Sequence, residues 1–232
     1  KDYCSTKKCF LFGHFGYDLK NETEQLKSNN YNGINFPDLY FFEPEIVLEL
    51  SLDKVIIHAD NNPDEIFLAV TASSAAIGKL MSGQTEIQSR FKKEEYIEAV
   101  EKLQAHILRG DCYEINFCQE FYAEKIFIDP VMVYLRLSQT SPNPFAAFYK
   151  LKDQYCICAS PERYLKKKGN RLISQPIKGT SPRNPEDSNM DDANRQGLLD
   201  SEKERSENTM VVDLVRNDLS RICKKGSVKV TE

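Results

Sequence analysis

Nowhere in the 232 residues is there a run approaching the ~18–20 consecutive apolar residues that span a bilayer, and the opening KDYCSTKKCF lacks the apolar centre of a secretory signal. A soluble, cytoplasmic protein with no membrane partner is the expectation. Excess basic charge is also missing: 31 Lys and Arg are set against 35 Asp and Glu, for a formal charge of −4, with both signs spread along the chain. That pattern is not a nucleic-acid footprint. The seven cysteines (Cys4, Cys9, Cys112, Cys118, Cys156, Cys158 and Cys223) form no CxxC and are odd in number. Neither a zinc site nor a disulfide framework is expected, and their apolar-alternating settings predict reduced core thiols. No internal repeat is visible, nor any linker long enough to part domains. The chain reads as one domain, with the 41% apolar content that a core requires.

What is present is a mixture of helix and strand periods. From Lys93, KEEYIEAVEKLQAHILRGD sets Tyr96, Val100, Leu103 and Ile107 at helical spacing and stops at Gly110. The next segment, CYEINFCQEFYAE, alternates Tyr113, Ile115, Phe117 and Phe121 against polar residues, the period of a half-buried strand. DPVMVYLRLSQ predicts a short helix over 129–139 with Asp129 as cap and Pro130 at its first position. FAAFYKL and YCICAS read as strands, and ERYLKKKGNRLISQPI as a hairpin turning at Gly169-Asn170, so Lys178 is expected at a strand exit.

PRNPEDSNMDDAN, 182–194, reads as an exposed mobile loop. A long helix follows from about Asp200 to Ile222, with Val211, Leu214, Val215, Leu219 and Ile222 as its apolar stripe, ending at Lys224, Lys225 and Gly226. SVKV is expected to open a further strand. Towards the N-terminus, FLFGHFGYDL suggests a strand broken by glycines, KNETEQLKSNNYNG a polar loop, and FPDLYFFEPEIVLELSLDKVIIHAD two strands joined near Asp53. Strands interrupted by long helices without regular βαβ alternation point to the α+β class.

Three local features carry possible chemistry, and each has a plain structural alternative. In ISQPIKGTSPR, Lys178 lies between a proline-ended apolar run and a Gly-Thr pair. A desolvated lysine there becomes a nucleophile or base; otherwise it is a surface cation at a turn. Glu162, in ASPER, is either a carboxyl held near a dry cleft as a general acid or a strand-end residue paired with Arg163. Glu204 and Glu207 in SEKERSEN share a helical face, with Lys203 and Arg205 expected to point elsewhere. Two such carboxylates suit Mg²⁺, or belong to a solvated surface.

Taken together and in order, RGDCYEINFCQ, SPNPFAAF, ASPERYL, PIKGTSPR and SENTMVVDLVRNDLSRICKKGSVKV resemble the chorismate-utilising enzymes. That family includes anthranilate synthase, isochorismate and salicylate synthases, and aminodeoxychorismate synthase component I. The likeness runs from Phe12 onward and is densest between Arg109 and Val230. It implies two stacked antiparallel sheets with helices outside, and a cleft where PIKGT faces the Glu204–Glu207 helix. The family's chain is longer at both ends: past the last residue here it has a GSxTGAPK-like block and strands with a further metal-binding glutamate.

Anthranilate synthases and most of the isochorismate group have P-[IL]-A-G-[TS] where this chain has PIKGT, which is similar to the aminodeoxychorismate synthase component I branch. By that resemblance Lys178 is a covalent nucleophile towards chorismate, Glu162 the general acid, and Gly179 and Thr180 substrate-binding residues. Glu207 would be a Mg²⁺ ligand and Glu204 a residue reaching the ion through water. Pro144, Phe145 and Ala146 match a segment that lines a tryptophan pocket in some relatives. The implied reaction is amination of chorismate to 4-amino-4-deoxychorismate, in 4-aminobenzoate and folate synthesis. Ammonia would come from a separate glutamine amidotransferase subunit, since no glutaminase Cys-His signature is visible. An anthranilate- or isochorismate-forming relative, and a non-catalytic chain that keeps only its partner, stay open as alternatives.

Overall fold

The structure is a computed structural model that describes residues 10–74 and 85–231; Cys4 and Cys9 lie outside them. The chain divides into two compact units, Lys1–Met132 with Lys150–Tyr155, and Val133–Tyr149 with Cys156–Glu232.

In the first unit, β1 (Phe12–Phe15) pairs antiparallel with β2 (Leu39–Phe42), with Phe12 opposite Phe42 and Phe15 opposite Leu39. Between them the chain makes a short 3₁₀ turn, Tyr17–Leu19, and one turn of helix, α1 (Lys20–Thr23). The apolar stretch expected to give two strands gives three. Glu43 and Pro44 separate β2 from β3 (Ile46–Leu50), because proline has no N–H for a ladder; β4 (Val55–Ala59) then returns antiparallel along β3. The turn between them is tied by the Ser51 hydroxyl, which donates to Asp53 Oδ1 at 3.0 Å and to the Lys54 carbonyl at 3.1 Å.

Helix α2 (Pro63–Ala72) has no counterpart among the sequence expectations, although its signal is local. Asn62 Oδ1 accepts from the Asp64 N–H at 3.1 Å and Pro63 occupies the first position, where a missing N–H costs nothing. Helix α3 (Lys93–Leu108) matches its expected range, opened by Glu95 Oε2 accepting the Lys92 N–H at 2.8 Å and closed by Gly110 at φ +81°. The strand expected from Cys112 shrinks to β6 (Phe121–Tyr122), paired with β5 (Gln88–Ser89). Upstream of β6 the alternation serves side-chain packing without a ladder: Phe117 lies against Phe91 and Tyr96, with ring centroids 5.6 and 5.2 Å apart. A period of two marks a buried face, but a strand also needs a neighbour to bond to.

Helix α4 (Pro130–Thr140) begins as expected, Asp129 Oδ1 accepting from the N–H groups of Val131 and Met132 at 2.9 and 3.3 Å. Strands β7 (Phe145–Leu151) and β8 (Gln154–Ser160) form a hairpin, and Tyr134 of α4 sets its ring 5.6 Å from that of Phe148. A second hairpin, β9 (Arg163–Lys168) and β10 (Arg171–Gln175), turns at Gly169-Asn170. Its ladder is regular from Arg171↔Lys168 to Ile173↔Lys166, then shifts so that Gln175 faces Arg163. Tyr164 and Leu165 thus oppose the single residue Ser174, a bulge pinned by the Ser174 hydroxyl donating to the Tyr164 carbonyl at 2.8 Å.

The segment 182–194, expected as a mobile loop, is largely the start of α5 (Ser188–Asp200), capped by Asp187 Oδ1 on the N–H groups of Asn189 and Met190 at 3.0 and 3.1 Å. Helix α6 (Glu202–Ile222) follows at once, with Ser201 as N-cap. Its covered stripe is Val211, Val212, Val215 and Leu219, while Leu214 and Ile222 face outward, 48% and 70% exposed. SVKV forms no strand.

Among the described residues the strands make five two-stranded pairs, and no side chain is fully buried. The five described cysteines are free thiols, and none is a core residue: Cys118 and Cys156 are exposed, the others half-buried. No helix of the described residues is long and apolar enough to cross a membrane.

Candidate functional site

Lys178, Glu162, Gly179, Thr180, Glu204 and Glu207 all belong to the second unit. The register of the β9–β10 hairpin explains how the first two come to one end of it. Glu162 immediately precedes β9 and Lys178 follows β10 by three residues, and Gln175 faces Arg163, so both residues lie at the open end of the hairpin. A proline sits at each margin, Pro161 and Pro176, where an N–H is not needed by the ladder.

Glu162 differs from the sequence expectation on both counts. It is exposed rather than set in a dry cleft, and Arg163 is not its partner. The Arg163 Nε donates to Gln175 Oε1 at 2.9 Å and its guanidinium lies 4.7 Å from the centre of the Phe145 ring. The Glu162 backbone is fixed by Ser160, whose Oγ accepts the Glu162 N–H at 3.3 Å. Lys178 is half-buried, as is Gly179; Thr180 is exposed.

Gly179 brings the PIKGT segment against α6. Its φ of +81° is a left-handed conformation that side-chain-bearing residues rarely adopt, and a Cβ built there would lie 2.6 Å from Glu204 Oε2. The glycine therefore leaves the space that the Glu204 carboxylate fills. Glu204 is the third residue of α6, and its N–H donates to the Ser201 cap at 3.4 Å. Glu207 lies one turn on, so both carboxylates share a face.

Lys203, expected to point away, instead joins them. Its ammonium is 3.5 Å from Glu204 Oε1 and 3.7 Å from Glu207 Oε1. The two carboxylates thus already converge on one cationic centre. Oxygen donors converging on a positive charge are what Mg²⁺ requires, with waters completing its shell. Among the described residues no third His, Cys, Asp or Glu makes this a set of three or more. The donor set fits Mg²⁺ as a partial site. The signal for Lys203 is present in the sequence as its i,i+4 spacing to Glu207.

Beyond Thr180 the chain is strapped to α5. The Ser181 hydroxyl donates to the Asn194 carbonyl at 3.2 Å, and Asn194 Nδ2 donates to the Pro182 carbonyl at 3.0 Å. Arg183 forks onto Asp191, Nε to Oδ1 and Nη2 to Oδ2 both at 2.8 Å, and the Asn184 N–H reaches Oδ1 at 2.8 Å. These bonds, the arginine's first, hold the Asp191 carboxyl below the ordinary carboxylate range.

The strand exit also borders a cavity of about 560 Å³ whose lining includes Phe145, Pro161, Arg163, Ile177, Val212 and Lys229. It borders the neighbours of Glu162 and Lys178 rather than those two residues. Of the segment 144–146, Phe145 lines this cavity and Ala146 is half-buried, while Pro144 is exposed.

Comparison with known proteins adds a consistent set of likenesses. Residues 1–232 match the family described as chorismate binding enzyme. The chain is 31% identical over 222 residues to aminodeoxychorismate synthase component 1 of Klebsiella aerogenes, covering 95% of this chain and 49% of that protein. It is 33% identical over 224 residues to aminodeoxychorismate synthase component 1 of Escherichia coli (strain K12), covering 95% and 49%. Against anthranilate synthase component 1 of Thermus thermophilus it is 31% identical over 233 residues, covering 96% and 50%. The crystal structure of anthranilate synthase component I from Streptococcus pneumoniae TIGR4 superposes with a TM-score of 0.81 at 26% identity, over 97% of this chain and 52% of that one. The chain spans about half the length of the curated relatives it matches.

Proposed function

The chain belongs to the chorismate binding enzyme family, and from that membership we propose that it carries part of a site aminating chorismate to 4-amino-4-deoxychorismate, with Lys178 as covalent nucleophile. The observation that carries this reading is the lysine of PIKGT on a segment whose next residue, Gly179, lies against the Glu204 carboxylate. Lys178 is thereby next in sequence to the residue that meets the Glu204 carboxylate, on one unit of the fold.

In the proposed reaction the neutral Lys178 amine bonds to ring carbon two of chorismate while both ring double bonds shift and the hydroxyl leaves carbon four. Glu162 gives that hydroxyl its proton, so water departs in place of hydroxide. Ammonia then bonds to carbon four, both double bonds shift back, the Lys178 amine is released, and the proton that the incoming nitrogen loses returns to the Glu162 carboxylate. The sum is chorismate plus ammonia giving aminodeoxychorismate plus water. Glu162 is exposed, so in this reading the bound ring supplies the apolar cover over its carboxyl. The Gly179 backbone and the Thr180 hydroxyl and N–H orient the ring.

Glu207 would hold Mg²⁺ directly and Glu204 through water; the ion, when bound, offsets the charge of the ring carboxylate. Ammonia would come from a glutamine amidotransferase subunit, and in this reading the product would serve 4-aminobenzoate and folate synthesis. A second reading, formation of anthranilate, is favoured by the likeness to the Thermus thermophilus and Streptococcus pneumoniae proteins. Incubation of the protein with chorismate, Mg²⁺ and ammonium salt separates the two by product. Aminodeoxychorismate, together with a substrate adduct on Lys178 seen by mass spectrometry, supports the first. Anthranilate, or undiminished amination by Lys178→Ala, overturns it.

A further inference from the structure

We propose that Lys203 is a tethered competitor for the divalent cation, occupying the Glu204/Glu207 carboxylates when no metal is bound and setting how tightly metal is held. The inference rests on the reading of those carboxylates as a Mg²⁺ site.

The geometry argues for occupancy without tight bonding. The Lys203 ammonium stands 3.5 Å from one carboxylate oxygen and 3.7 Å from the other, sharing itself between them. Charge-assisted N–H to carboxylate bonds are shorter, ~2.7–2.9 Å, so the contact is mainly Coulombic and breaks readily. Glu204 and Glu207 are 25% and 35% exposed, whereas Lys203 is 75% exposed and can swing its charge into water. The pair also runs from Lys203 forward to Glu207, the less favourable direction for helix support, so the contact is poorly suited to stabilising α6.

A divalent cation held by the same two carboxylates, directly at Glu207 and through water at Glu204, must displace the ammonium, because two positive centres cannot share that space. Between turnovers the lysine keeps two neighbouring carboxylates from facing each other uncompensated. The exchange costs affinity: each metal ion that enters first breaks two ion pairs. Lys203 therefore positions the carboxylates and weakens the metal in one arrangement, and it touches neither substrate nor reacting atoms.

The test is titration of Mn²⁺ alone into the protein, followed by the loss of the free-ion paramagnetic resonance signal, for wild type, Lys203→Gln, Lys203→Arg and the pair Glu204→Gln with Glu207→Gln. Circular dichroism verifies that each remains folded. Lys203→Gln is expected to bind Mn²⁺ roughly threefold to tenfold more tightly, the factor that one or two exposed ion pairs are worth. Lys203→Arg, which keeps the charge at this position, should bind Mn²⁺ as wild type does. The double glutamine variant should lose the site. If that variant loses Mn²⁺ while Lys203→Gln binds it no more tightly than wild type, the competitor role is overturned and the metal reading stands. If Mn²⁺ binds to none of them, or as well to the double variant, both are overturned.

Discussion

Glu204 Oε2 occupies the place that a side chain on residue 179 would need. A Cβ on Gly179 would be 2.6 Å from that oxygen and 3.2 Å from Leu198 Cδ1, at a backbone φ of +81°. Gly179→Ala should therefore lose stability twice, by about 1–2 kcal/mol for the left-handed backbone and more for the displaced carboxylate. Asparagine tolerates that backbone better but still carries a Cβ. Gly179→Asn is expected to recover part of the thermal stability and none of the Mn²⁺ affinity. Melting curves read beside Mn²⁺ titrations would check this; wild-type metal binding in both variants would show that the contact is idle.

The N-cap of α6 is mechanically part of the same site, since the Ser201 Oγ bonds the N–H of Glu204 itself. Ser201→Ala should cost about 1 kcal/mol, and Ser201→Gly less. Urea unfolding monitored by circular dichroism gives both values. A loss in alanine no larger than in glycine would mean that the cap contributes little.

Acid should release the strap between the PIKGT segment and α5. Asp191 has its folded-state pKa lowered, chiefly by Arg183, so its contribution is fully present above the ordinary carboxylate range and is lost as pH falls through the lower folded value. The stability difference between wild type and Arg183→Ala is expected to be constant near neutrality, to shrink on acidification below about pH 4, and to vanish only beneath the lower folded value. Denaturant titrations at several pH values measure it, and a difference that persists in acid would assign the effect to packing.

Cys156 should alkylate slowly for an exposed thiol. Partial shielding of its sulfur, and then the neighbouring Cys158, push its pKa up, which lowers the thiolate fraction at any given pH. Iodoacetamide labelling followed by peptide mass spectrometry is expected to be slower than for a simple thiol at about pH 8 and to climb through the range above about pH 9. Cys158→Ser should speed it. Labelling as fast as glutathione would refute the shift.

Elements with a local cause are legible in the sequence. α3 and α4 are framed by Gly110, Asp129 and Pro130, and the β9–β10 hairpin by Gly169-Asn170. α2 carries the same kind of signal in Asn62-Pro63, without a polar–apolar period strong enough to draw the eye to it. The strand expected around Phe117 fails because pairing depends on a neighbour far along the chain, and the helix α5 is hidden by the prolines that precede its Asp187 cap. At the site, the motif marks which residues matter but not their company. The exposure of Glu162, the diversion of Arg163 to Gln175 and Phe145, and the turn of Lys203 towards both glutamates are tertiary outcomes.

The extra residue in β9 opposite Ser174 is also slack in the ladder. Deleting Tyr164 or Leu165 would leave a single residue facing Ser174, with Lys166 still opposite Ile173 and Arg163 still opposite Gln175, so the pairing would close up while the bend and added twist of the bulge were lost. A one-residue shortening of this arm should therefore spare the fold and re-aim Glu162 relative to the downstream amine, a change of angle that a residue-by-residue tally of identities would never disclose.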